Sequence, residues 1–350
     1  MGDPDASERS SRPPRPGPTD KLPSLSRAAL TAAVGLAHGA GPSSSGGAAP
    51  PDVVRSRIDD YFQRSAGTYK VNGVEVKVLP FFRLGWGKPP DGMHVPSSVK
   101  QSQVLAALGP RAAALQQAVH QCVWGRPTPE ELAKVTQALI DAGKLDEVRK
   151  KFDAMSPADF RRQHGSVPLP LSDAHAIQML QWEYGLGMDC AGYVQQAFLD
   201  VHGGTRDTYK FQDIGNEVLY WLKGNPSFDR ELTPVHAQPG DLIIMKPPKG
   251  DFAGHTVLVR DRHELTSAES GSLTNLGAFR QPGDLVHRIE VHASWGAGQG
   301  NLDRGGVQSR VFLYNETSGK WADIEAGAVK PQSVGPYGGH PVEGVYHPNR

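Results

Sequence analysis

What most constrains the fold of this chain is a change of texture after His164. Short apolar runs succeed one another with turn signals between them: Asp241–Met245, His255–Arg260, Leu285–His292 and Val307–Tyr314. Asn315–Gly319 then turns the chain into Lys320–Ile324. Gln-Pro-Gly-Asp stands at 238–241 and again at 281–284, each time as a turn entering a strand. Helices come just before these runs. Tyr193, Val194, Ala197, Phe198 and Val201 recur at helical spacing until Gly203-Gly204 stops them, and Val218–Leu222 reads as a second helix. One or two helices followed by successive strands is the α+β pattern with an antiparallel sheet.

Residues 51–165 have a different pattern. Val54, Ile58, Tyr61 and Phe62 line one face of a helix that starts after Pro51. Asn72-Gly73 between alternating apolar residues is a two-residue hairpin signal. Helical spacing runs from Gln101 to Val123 with a break at Pro110. Thr128-Pro129-Glu130-Glu131 is a capping box with proline in the first turn, and it precedes a stripe of Leu132, Val135, Leu139 and Ile140. A short helix through Leu145, Val148 and Phe152 follows, and Ser156-Pro157 opens another. The expected organisation is a leader over 1–50, a mainly helical accessory region with one hairpin over 51–165, a catalytic domain over 166–325 and a Gly/Pro-rich tail over 326–350. The leader is rich in Ser, Pro, Gly and Ala and has no core to bury, so it reads as disordered, and the tail reads as poorly ordered.

Charge narrows the function. Thirty-seven Lys and Arg balance 37 Asp and Glu, which argues against a dedicated nucleic-acid binder. No apolar run approaches the ~18 residues of a membrane span. Ala28–Ala40 lacks the front end of a standard signal peptide, so the expectation is a cytoplasmic protein or one exported by a specialised route, with any delivery or immunity partner unknown. The two cysteines, Cys122 and Cys190, form no Cys-x-x-Cys pair. The histidines of the second half, His236, His255, His263, His287 and His292, show no metal-ligand spacing, so neither a metal nor a cofactor is expected.

Cys190 stands behind Asp189 at the start of the first of those helices. A thiol at a helix N-terminus feels the positive end of the macrodipole, which favours the nucleophilic thiolate. Such a nucleophile needs a base and a group that orients the base. His255 opens a strand, and its face, shared with Val257 and Val259, is expected to pack on the Cys190 helix. His292 lies near the end of the next strand and could hold the His255 ring. Strict alternation places it with Arg288 and Glu290, so a bulge or the strand end would have to re-aim it; otherwise His287 or Asp303 takes the role. Asp189, Tyr184 and Trp295 are the candidates for substrate contact.

The ordered set Asp189-Cys190-Ala191-Gly192-Tyr193-Val194, Gln238-Pro239-Gly240-Asp241-Leu242, Gly254-His255-Thr256-Val257 and Val291-His292-Ala293 resembles the NlpC/P60 family of papain-like cysteine peptidases. The likeness covers roughly 166–325, and nothing in 1–165 joins it. It implies a papain-like fold in which a nucleophile helix packs on an antiparallel sheet. It also implies Cys190 as nucleophile, His255 as base, His292 as orienter, and hydrolysis of an amide bond in peptidoglycan stem peptides or a related peptide. Two other outcomes fit the same scaffold: acyl transfer to an amine or alcohol, and a binding module without catalysis.

Overall fold

The helical half forms where the sequence supplies starts and stops. α1 (Pro51–Ser65) buries Val54, Ile58 and Tyr61. It leads into the hairpin β1 (Gly67–Val71) and β2 (Val74–Val78), whose two turn residues both have positive φ, Asn72 at 50° and Gly73 at 82°. That is the backbone a type I′ turn requires. The computed structural model describes residues 49–81, 96–211, 222–246, 254–295, 305–332, 335–336 and 340–349. All of these belong to one compact unit. The expected leader, apart from its last two residues, and the helix expected at 218–222, apart from Leu222, lie outside them.

α2 (Ser97–Leu108) and α3 (Ala112–Val123) flank a single 3-10 turn that contains Pro110. α4 (Pro129–Asp141) starts on the full Thr128–Glu131 capping box, α5 (Lys144–Asp153) follows Gly143, and α6 (Pro157–His164) is capped by the Ser156 hydroxyl. α7 (Asp173–Tyr184) was not expected, although its signals are present: Ser172 caps the His175 N–H, and Gly185 ends the helix at φ 65°. α8 (Cys190–His202) ends at Gly203, as expected.

The second half is one eight-stranded antiparallel sheet, and the chain is α+β. Its strands are β3 (Phe228–Glu231), β4 (Leu242–Met245), β5 (His255–Glu264), β6 (Val286–Trp295), β7 (Gly306–Asn315), β8 (Lys320–Glu325), β9 (Ala328–Gln332) and β10 (Val342–Pro348). Their order is β3-β10-β4-β5-β6-β7-β8-β9. The expected loose tail at 326–350 is corrected. β9 forms one edge, and β10 lies inside the sheet, paired with both β3 and β4. Its apolar residues Val345 and Tyr346 are fully buried, and that burial outweighs the glycines and prolines around them. The insertion between β5 and β6 holds a short helix, α9 (Ser267–Ser272), started by a Thr266–Glu269 capping box. Phe279 of the insertion packs on Val286, Leu313, Ala322 and Val329.

No boundary between cores falls at 165/166. Leu139 of α4, Leu180 of α7, Phe198 of α8 and Val257 of β5 share one hydrophobic cluster. α1 is bound to the second half by polar contacts as well. Arg57 donates to the Val201 carbonyl at 2.9 Å, and Arg260 forks onto both Asp59 carboxylate oxygens at 2.6 and 2.8 Å.

The register decides which strand residues see the helices. Leu258 pairs with His292, and successive side chains alternate faces. Phe62 of α1 lies 4.6 Å from the His292 ring, and the Ser294 hydroxyl donates to the Met188 carbonyl ahead of α8 at 2.7 Å. The helical face therefore carries Thr256, Leu258, His292 and Ser294. His255, Val257, Val259, Val291, Ala293 and Trp295 point to the other side of the sheet. The expectation that His255 and Val257 face the Cys190 helix is thereby reversed: Val257 points to the other side of the sheet, and the polar Thr256 faces α8.

Candidate active site

The turn before α8 is held from several directions. The Met188 N–H donates to the Phe81 carbonyl at 2.9 Å, and the Asp189 N–H donates to the Gly125 carbonyl at 2.8 Å. Asp189 is the N-cap of α8, its Oδ1 accepting the Gly192 N–H at 2.5 Å. A side chain at Gly192 would run into the Gly125 carbonyl and the Arg126 backbone, so glycine is required there for a close backbone approach. Asp189 is buried, and its carboxyl is turned into the helix start. That corrects its expected role as a substrate contact.

Cys190 is 6% exposed. The backbone N–H groups of Thr256, Ala191 and Cys190 itself approach the sulfur and favour its anion. Burial, followed by the neighbouring Asp189 charge, works against them and pushes the thiol up to about 12. The helix terminus does not win this balance, because its field acts on a sulfur removed from water beside a carboxylate. The resting thiol is protonated, contrary to the thiolate expected from helix position alone. Asp189 is itself raised to about 6 by burial, with Arg126 as the opposing cation. Cys122, the other thiol, is fully buried and also pushed up by burial.

His255 is the first residue of β5, paired with Met245 on β4. One peptide unit joins it to Thr256, whose N–H reaches the sulfur. Its ring lies on the other side of the sheet, 4.4 Å from the Trp295 ring, while the Arg310 guanidinium sits 4.3 Å over that same indole. Burial holds His255 well below the ordinary imidazole value, helped by the His340 and Arg310 charges, so the ring is neutral. Among the described residues, no side-chain hydrogen bond joins the Cys190 sulfur to either His255 or His292.

His292 is corrected as the orienter of His255. The register puts the two on opposite faces of the sheet, and the bulge that could have re-aimed a side chain falls in β5 at Arg260, not in β6. His292 is buried against Phe62, its Nδ1 has no hydrogen-bond partner among the described residues, and burial lowers it to about 4. His287 does share the face of His255, but it lies at the far end of β6 on Glu316, at 2.8 Å. Asp303 lies outside the described residues. Trp295 is fully buried, its indole N–H donating to the Gln308 carbonyl at 3.0 Å, so it is core and offers no platform to a substrate. Tyr184 lines a groove with Gln103, Glu147 and Lys151 between α2, α5 and α7, apart from the Cys190 turn.

Sequence reading missed Thr256, Ser294, Gly125 and Arg126. The first two became visible only once the register was known. The last two lie in a short loop between helices, where no local pattern marks a contact reaching a residue so much later in the chain. Among the described residues, no cluster of His, Cys, Asp or Glu has metal-binding geometry, and no helix is long and apolar enough to cross a membrane. Compared with known proteins, the chain matches no family model, no curated protein and no solved structure.

Proposed function

We propose that this chain is a cysteine-dependent amide hydrolase of papain-like design, acting through Cys190 on peptidoglycan stem peptides or a related peptide. One observation carries the proposal: the sulfur sits at the head of α8, where backbone N–H groups of Cys190, Ala191 and Thr256 favour its anion, the last of them from the strand that His255 opens. Those donors suit an anionic sulfur and are the kind of group that stabilises charge developing in acyl transfer. The Asp-Cys-Ala-Gly-Tyr-Val segment and the helix-on-sheet arrangement support the same assignment.

In this mechanism, the neutral His255 imidazole takes the Cys190 proton, a step that requires its ring to leave the Trp295 side of the sheet and reach the α8 side. The thiolate then attacks the amide carbonyl carbon, and the C–N bond breaks as the imidazolium protonates the leaving amine. Water, deprotonated by the same ring, hydrolyses the thioester and returns the thiol. His292 has no part in these steps. The raised thiol favours a second reading, a binding module in which Cys190 stays inert.

Incubating muropeptides with wild type, Cys190→Ala, His255→Ala and His292→Ala, with products weighed by mass spectrometry, separates the two. Hydrolysis requires new products from wild type and His292→Ala only. Equal products from Cys190→Ala would refute the nucleophile, and no products from any protein would favour the binding module. An added amine acceptor detects acyl transfer as a shifted product mass.

A further inference from the structure

The loop between α3 and α4 comes from the half of the chain in which the sequence shows no chemistry, yet it reaches the residue before Cys190. The Gly125 carbonyl accepts the Asp189 N–H at 2.8 Å, and the missing side chain at Gly192 lets the 125–126 backbone lie directly on the first turn of α8. The loop is itself fixed at both ends. Trp124 and Arg126 N–H groups donate to the His120 and Gln121 carbonyls at 3.1 and 2.9 Å, Gly125 takes φ 75°, and the Thr128 capping box begins α4 just beyond.

The charge in the loop has a chemical target. Arg126 is the cation that acts on the buried Asp189 carboxyl, and the Asp189 charge is the one that acts on the Cys190 sulfur. Among the described residues, the other elements around this turn add no second cation acting on Asp189 or Cys190. β5 brings the Thr256 N–H to the sulfur and turns His255 away, and β6 brings the Ser294 hydroxyl to the Met188 carbonyl.

We propose that the α3–α4 loop is a positioning element of the nucleophile: the Gly125 carbonyl fixes the Asp189–Cys190 turn, and Arg126, acting through Asp189, sets how much negative charge the sulfur feels. The inference rests on Cys190 being the nucleophile. Arg126 acts here through Asp189 and not on the reacting atoms, so it is assigned as a positioning residue. The helical region is then a working part of the site.

The test is a ¹³C carboxyl NMR titration of Asp189 in the full chain, with the resonance assigned by its loss in Asp189→Asn. Arg126→Gln should move the Asp189 midpoint upward by about half a pH unit or more, because the opposing cation is gone. Arg126→Lys should restore most of the wild-type midpoint. In muropeptide cleavage above the Asp189 midpoint, where the carboxylate is ionised in both proteins, Arg126→Gln should shift the rising limb of the kcat profile to higher pH, since an Asp189 charge without its opposing cation then works against the thiolate. Purely structural damage would lower activity at every pH without moving that limb, and Arg126→Lys would not correct the titration. An Asp189 midpoint unchanged in Arg126→Gln overturns the role of Arg126. Absence of cleavage by wild type overturns the nucleophile instead, and the titration reads independently of it.

Discussion

Replacing His292 with leucine should remove an acid-sensitive weakness from the fold. The ring is buried and its Nδ1 has no hydrogen-bond partner among the described residues, so burial favours the neutral form and lowers the group from 6.5 to about 4. A histidine with a lowered folded value binds its proton more weakly in the native state than in the unfolded one. Stability is therefore unaffected above pH 6.5, falls as pH drops from 6.5 to about 4, and levels off below that. At about 1.4 kcal/mol for each pH unit, the full loss is about 3 kcal/mol. At pH 7.5, leucine gives up the ring contact with Phe62, worth about 1 kcal/mol, and relieves a buried polar atom of similar cost. Wild type and His292→Leu should thus be nearly equal at pH 7.5, and the variant should be more stable by about 3 kcal/mol near pH 4. Urea unfolding at pH 7.5, 6.5, 5.5 and 4.5 measures the gap directly, and the carboxylates common to both proteins cancel. A gap that stays constant over this range would refute the reasoning. So would loss of muropeptide cleavage in His292→Leu as complete as in His255→Ala, since the register places His292 on the wrong face to serve that ring.

Three further outcomes are expected. Iodoacetamide should label Cys190 slowly at pH 7, because the thiol is pushed up to about 12, and the rate should climb about tenfold per pH unit through pH 9; fast labelling at pH 6 would contradict the protonated resting state. Gly192→Ala should cost about 1–3 kcal/mol in thermal or urea unfolding, since the new methyl meets backbone rather than a yielding side chain, and a neutral result would mean the loop gives way freely. His347 is raised by its bond to Asp241, 2.7 Å away, so the stability it adds is present below pH 6.5 and fades as pH rises through its folded value. His347→Ala should accordingly be more damaging at pH 6 than at pH 9 in paired unfolding curves.

The sequence announces some of this structure and conceals the rest. Signals that act within one turn are plain: Asn72-Gly73 makes its hairpin, Thr128 to Glu131 makes its capping box, and Gly203 stops α8. Short apolar runs bounded by turn residues located β4 to β8. β10 escaped because its few apolar residues sit among Gly and Pro, and only its neighbours β3 and β4 make it a strand. Cys190 and its helix were legible from Asp189-Cys190-Ala191-Gly192. The face of His255 was not, because alternation gives two faces and only contacts such as Ser294 on Met188 say which one meets the helices. Nor was the protonation of the thiol legible, since burial and a carboxylate outweigh a helix end only at a depth that sequence does not reveal.

The interior position of β10 has a consequence for synthesis. Val342 pairs with Met245, and the same strand bridges to Glu231 through Val345, so two flanking ladders wait for the β10 residues to arrive. Until those residues leave the ribosome, β3 has no partner in the sheet and β4 keeps an open edge beside the strand that touches the sulfur. In a nascent chain, the β3–β10–β4 side of the sheet is therefore completed only after β10 has been made, whatever has already folded upstream.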